Sequence, residues 1–229
     1  MVSGDFFRGL AQLLEVLLKA ISQFRESADQ RRRKEVVRTI LAVCIVVDEV
    51  VLNGRGLLRL AGTDPVSRVT EMEVEQRRKY ASECYRALAL QMNRLERLSD
   101  LIESVPVIGI LDVGLKNELD TIVGTKQEGL MAIAAPIGFY LRLGALPEQK
   151  DIAQYGEELA CIRYQAGLLA LLFDSSASLA SETIDVPSAI ANLDALAVAG
   201  ERLKNLTTEL FSKEEIISLA KEAGELARK

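Results

Sequence analysis

Aliphatic side chains recur at steps of three and four along most of this chain, the spacing that lines one face of an α-helix. Phe6, Leu10, Leu13, Leu17, Ile21 and Phe24 form one such stripe. Ala81, Tyr85, Leu88, Met92, Leu95, Ser99 and Ile102 form a second, alternating four and three as a coiled-coil seam does. Ile152, Tyr155, Leu159, Ile162, Ala166, Leu169 and Phe173 make a third, and Ile190, Leu193, Leu196, Leu203, Leu206 and Leu210 a fourth. The one rival to helix is Ile40–Val47, an unbroken apolar run rich in the β-branched residues that suit a buried strand. No second strand candidate exists to pair with it, and helical spacing continues on both flanks. It is therefore read as helix, apolar all round and placed at the centre of a bundle.

Punctuation sets the expected boundaries. Helices are expected from Asp5 to Phe24 and from Arg33 to Leu60, with Asn53-Gly-Arg-Gly56 marking a kink or an early end in the second. Thr63-Asp64-Pro65 couples a capping side chain to a proline at the first helical position. The helix it opens is expected to run unbroken to Glu103, where Pro106 follows. Glycines punctuate 107–145, giving two shorter helices, Ile110–Ile122 and Lys126–Leu143, the second kinked at Pro136. Pro147 restarts a helix to Phe173, and the serine-rich stretch Asp174–Asp185 reads as a loop. Pro187 begins a helix to Phe211, and the capping box Ser212-Lys-Glu-Glu215 opens a last one through Leu226. The expected fold is all-α: an elongated antiparallel bundle of about seven helices, some long and coiled-coil-like. Residues 1–229 read as one helical-bundle domain, with any border between lobes near Pro106 or at 145–147.

Composition removes whole classes of chemistry. The chain has no histidine, so Ser-His-Asp and Cys-His catalysis, histidine zinc sites and the Glu-x-x-His di-iron sites of bundles are excluded. Net charge is −5, against the basic excess that gripping a phosphate backbone requires, so nucleic-acid binding is disfavoured. Cys44, Cys84 and Cys161 are far apart, each in an apolar segment, and form no CxxC. They read as reduced thiols rather than a disulfide frame or a zinc site. Glu15 and Lys19 interrupt the first apolar stretch, so a signal peptide is not expected. The longest charge-free run, between Glu128 and Arg142, is too short to span a bilayer and is broken by Pro136, so no transmembrane segment is expected and the expected location is the cytoplasm.

Candidate sites remain few. The basic run Arg31, Arg32, Arg33 and Lys34 could contact an anion or an acidic partner, against the plainer reading of a solvated helix junction balanced by Glu26, Asp29 and Glu35. Asp48 and Glu49 interrupt the apolar second helix, either on its wet edge or buried against a cation. Glu71 and Glu75 lie one turn apart, and Glu182 and Asp185 have similar spacing. Such pairs can hold Mg²⁺, although isolated acidic pairs usually face solvent. Asn53-Gly-Arg-Gly56 lacks the ending and spacing of a phosphate loop. Gly129–Gly144 is rich in small residues, which pack helices closely in water and could also insert into a membrane.

No cofactor is implied. The leading expectation is a non-enzymatic bundle acting through a protein partner, with a homo-oligomer as one form of that contact. A carboxylate-based Mg²⁺ hydrolase or small-ligand binder, and a membrane-active protein inserting 129–144, are the alternatives.

Overall fold

A computed structural model describes residues 6–23, 30–103, 149–174, 177–178 and 180–228. The expected helices 110–122 and 126–143, and the Gly129–Gly144 segment, lie outside the described residues. Eight helices make up the described chain: α1 (Phe6–Gln23), α2 (Gln30–Ala61), α3 (Pro65–Thr70), α4 (Val74–Glu103), α5 (Gln149–Tyr155), α6 (Glu157–Phe173), α7 (Val186–Leu210) and α8 (Lys213–Arg228). The class is all-α, and no described residue lies in a strand. Ile40–Val47 is helical throughout, with Val43, Val46 and Val47 buried and Leu41 and Ile45 half-buried.

By its internal contacts the chain forms two compact units. Of the described residues, the first unit takes Phe6, Phe7, 52–93 and those from 149 to 193, and the second takes 8–23, 30–51, 94–103 and 194–228. Among the described residues the borders fall inside α1, α2, α4 and α7.

In the first unit, two helices expected to be continuous are broken. The stretch opened by Pro65 stops at Thr70 and resumes at Val74. The reason is packing: Val69, Tyr80, Cys84 and Ile162 share one buried cluster. On a straight helix Val69 and Tyr80 would stand about 16 Å apart along the axis, so the chain must turn between them. Arg77 secures the turn by donating from Nε to the Val69 carbonyl at 3.1 Å and from Nη2 to the Thr70 carbonyl at 2.9 Å. These are carbonyls of the last turn of α3, and the Val69 oxygen also accepts from the Met72 N–H at 3.1 Å.

The second break is at Gly156, whose φ of 81° and ψ of 157° suit glycine alone among the residues. Across it, the Arg163 guanidinium lies 4.2 Å from the centroid of the Tyr155 ring and pairs with Glu182. Phe7 stacks on Phe173 with ring centroids 5.4 Å apart.

The expected weakness at Asn53–Gly56 does not break α2, which continues to Ala61. Gly54 is where Leu193 packs: a Cβ there would lie 2.9 Å from Leu193 Cδ2. The end of α2 comes at Gly62, in the left-handed region at φ 70°, with its N–H donating to the Leu58 carbonyl at 2.8 Å. Arg68 Nη1 donates to the Leu60 carbonyl at 2.9 Å, and the Tyr80 hydroxyl donates to the same oxygen at 3.0 Å. Asp64 caps α3, as its sequence implied, accepting from the Ser67 N–H at 2.8 Å.

In the second unit, α2 contributes Val36, Val43, Val46, Val47 and Val50 to the core, each at most 1% exposed. Gly200 on α7 admits Val47, whose Cγ1 would be 2.8 Å from an added Cβ. The capping box forms at α8: the Ser212 N–H donates to Glu215 Oε2 at 2.8 Å, and the Glu215 N–H to Ser212 Oγ at 3.2 Å.

On α1, Leu10, Leu17 and Ile21 of the expected stripe are buried. Two stripes depart from expectation in part. On α4, Leu88, Met92 and Leu95 of the expected seam are buried, together with Tyr80, Cys84, Gln91, Leu98 and Leu101, while Tyr85 is 38% exposed. On α7, Leu193, Leu196 and Leu203 are buried as expected, while Ile190 is 41% exposed and Ala189 and Asn192 are buried instead. In both cases the burying neighbour lies to one side of the expected line, so the wet edge takes an aliphatic or aromatic residue.

Candidate interaction surface

Of the candidate site residues, Glu71, Glu75, Glu182 and Asp185 belong to the first unit, and Arg31, Arg32, Arg33, Lys34, Asp48 and Glu49 to the second. Arg31, Arg32 and Arg33 open α2, and Lys34 is exposed on it. Asp48 is exposed and accepts from Lys204 Nζ at 2.8 Å, while Lys204 also donates to Glu201 at 2.7 Å. Burial opposes the charge on Lys204, but these hydrogen bonds outweigh it and raise its pKa. Glu49 is half-buried and pairs with Arg94 at 2.8 Å. Glu75 faces Arg78 at 3.9 Å, and Glu71 is exposed at the end of α3. Glu182 pairs with Arg163, and Asp185 caps α7 by accepting from the Ser188 N–H at 3.1 Å.

The acids thus meet cations and backbone donors. Among the described residues no three Cys, Asp or Glu side chains are placed to share a metal ion. Two of the three thiols, Cys44 and Cys84, are buried. Burial pushes Cys44 up to about 12, with Asp48 and Glu201 adding to the effect against Lys204. Burial likewise pushes Cys84 up to about 11. Desolvation also raises the Tyr80 hydroxyl, beside Cys84. A thiol held protonated is a poor nucleophile.

One small pocket, of about 150 Å³, lies in the first unit against Phe173, Asp174, Ile184, Asp185 and Ser188. Its Asp185 carboxylate is already engaged as the helix cap.

What the surface offers is outward helix faces. On α2, Lys34, Asp48, Leu52, Arg55 and Arg59 are exposed, while Arg38, Leu41 and Ile45 are half-buried and Arg38 pairs with Glu222 of α8 at 3.6 Å. Leu52 stands 66% exposed. On α8, opposite the buried Leu219, Ala223 and Ala227, the outward row runs through Glu214, Ile217 and Lys221. Ile217 is 65% exposed. Covering such an aliphatic side chain is worth roughly 1.5–3 kcal/mol. A lone outward aliphatic is ordinary on a protein surface. Each of these two, however, sits between an acid and a base on the same helix face.

Sequence reasoning singled out neither Leu52 nor Ile217. The signal was present, because the period that buries Val50 and Leu57 turns Leu52 onto the row of Asp48 and Arg55. No helix among the described residues is long and apolar enough to cross a membrane. In comparisons with known proteins the chain matches no family model, no curated protein and no solved structure. The class that the fold defines is that of an all-helical protein whose outward faces carry apolar residues bracketed by charge.

Proposed function

We propose that this chain works by binding protein through the outward faces of its helices and catalyses no reaction. The observation that carries this reading is the pair Leu52 and Ile217, 66% and 65% exposed. Each is a large aliphatic held outward on a long, well-packed helix and flanked by charge. Recognition between proteins uses that combination: an apolar centre to desolvate and a charged surround to set register and exclude wrong partners.

The titratable groups fit the same reading. Asp48, Glu49, Glu75 and Glu182 face cations rather than one another, and Cys44 and Cys84 are buried. We place the protein in the cytoplasm on its three free cysteines, which suit a reducing compartment.

The test is quantitative affinity capture from cells with the wild-type chain and with the double variant Leu52→Asp, Ile217→Asp. A protein, this chain included, retained by the wild type and lost by the variant supports the reading. Equal capture by both, or capture of nothing by either, sinks it.

A further inference from the structure

We infer that α8 is a strap that opens and closes in one piece while the rest of the second unit stays folded, and that opening frees the guanidinium groups of Arg38 and Arg97.

Little of α8 is covered. Of its 16 residues, Leu219, Ala223 and Ala227 are buried, at 7%, 0% and 2% exposed. They recur at a step of four, so they form one line along the helix. That line packs closely but is narrow, and two of its members are alanines, each with a single methyl to bury. By contrast, α6 has 17 residues and buries nine, among them Ile162, Leu168, Leu169, Leu172 and Phe173. The part of α7 that shares a unit with α8 holds Leu196, Ala199, Leu203 and Thr207 at 2% exposure or less. It also admits Val47 at Gly200. Resistance of a segment to local opening follows the apolar surface it buries, so α8 opens before α7 does.

Gly224 weakens α8 further. It stands inside the helix, half-buried, and a Cβ there would meet nothing within 4 Å. No close approach requires the glycine, and its backbone freedom favours the open segment.

Polar contacts fasten the strap to α2 and α4. Arg38 on α2 pairs with Glu222 at 3.6 Å, and Arg97 on α4 donates from Nη2 to the Leu226 carbonyl. The first pair is largely in water, its side chains 37% and 55% exposed, so it holds weakly. Each arginine also keeps its Nε buried without a hydrogen-bond partner. Closure carries that cost, and hydration on opening removes it. The hinge falls at Phe211 and Ser212, between the end of α7 at Leu210 and the start of α8 at Lys213. Phe211 is buried, which anchors the near side. The capping box of Ser212 and Glu215 belongs to α8 alone, so the cap ties the strap to nothing else. Closed, the strap occupies both arginines. Open, it leaves two cations free for an acidic group.

Hydrogen exchange on the full chain, read by mass spectrometry over 213–228 and over 194–210, tests this. In the wild type α8 should exchange at least about tenfold faster than 194–210. Gly224→Ala adds a methyl in open space. It should slow exchange in α8 about two- to fivefold and leave 194–210 unchanged, because the gain in helix propensity acts on the opening of α8 alone. Ala223→Asp places a carboxylate in the buried line and should hold the strap open. Its α8 amides should then exchange at the earliest times while 194–210 keeps its protection.

Equal exchange of the two segments in the wild type would overturn the proposal. So would a Gly224→Ala protein in which both segments slow together, or in which neither slows. An Ala223→Asp protein that loses protection over 194–210 as fully as over α8 would make α8 integral to the second unit, and the strap would fall.

Discussion

Gly56 and Gly156 sit in the same unit, and replacing each with alanine should move stability in opposite directions. In both cases an added Cβ would meet nothing within 4 Å, so side-chain packing cancels from the comparison and only the backbone remains. Gly56 lies inside α2, exposed and helical. There alanine restricts the unfolded chain and favours the helix, stabilising by about 0.5–1 kcal/mol. Gly156 has φ 81° and ψ 157°, a conformation essentially closed to residues with a Cβ. Alanine there should cost about 1–3 kcal/mol. The spread between the variants is therefore about 1.5–4 kcal/mol by the same two principles. Urea titrations followed by circular dichroism would read it, with Gly56→Ala moving the midpoint up and Gly156→Ala moving it down. Midpoints that shift in the same direction would refute the reasoning. They would mean that Gly156 adopts an ordinary backbone conformation, or that the Gly56 position is not open helix.

Three further outcomes follow from the structure. Gly200→Ala should destabilise more than Gly54→Ala in thermal unfolding. The former forces its Cβ to 2.8 Å from the stiff, branched Val47, the latter to 2.9 Å from a terminal methyl of Leu193, which has one more rotatable bond with which to give way. The expected cost at Gly200 is about 1 kcal/mol after the helix-propensity gain is set against overpacking, and a stabilised Gly200→Ala protein would contradict it. Alkylation at mildly alkaline pH, followed by mass spectrometry, should label Cys161 first. That thiol is half-buried, whereas Cys44 and Cys84 are 4% and 2% exposed and held protonated up to about 12 and about 11. Early labelling of Cys44 would contradict this order. Asp64→Ala should cost about 1 kcal/mol, as loss of an N-cap does. The Ser67 hydroxyl and N–H hold the Asp64 carboxyl below its ordinary value. Its contribution is therefore complete above the unfolded pKa near 3.8 and fades as pH falls through the lower folded value. A wild-type-minus-variant difference that grew on acidification would refute that sign.

The contrast between α2 and α4 shows where sequence stopped being enough. Ile40–Val47 could be read as helix without coordinates, because its flanks keep the helical period and no strand exists to pair with it. The caps at Asp64 and Ser212 were equally plain, since a cap is a local hydrogen bond between residues three apart. The break at 71–73 was not legible. It follows from Val69 and Tyr80 meeting Ile162 in one cluster, and Ile162 is remote in sequence. The shift of the α4 stripe, which leaves Tyr85 outside, has the same origin: period fixes that a stripe exists, while its neighbours fix which line of residues it covers.

The candidate surface divides in the same way. The acidic and basic residues were visible in the sequence, and so was the lack of any imidazole. Their company was not. Asp48 beside Lys204, Glu49 beside Arg94 and Glu182 beside Arg163 are separations of 156, 45 and 19 residues closed by tertiary packing. That packing turns apparent metal ligands into ion pairs and leaves Leu52 and Ile217 facing outward. Amino-acid order sets the helical period and the caps because both act within a turn or two of backbone. Which faces are covered depends on contacts between distant segments, and those exist only once the chain has folded.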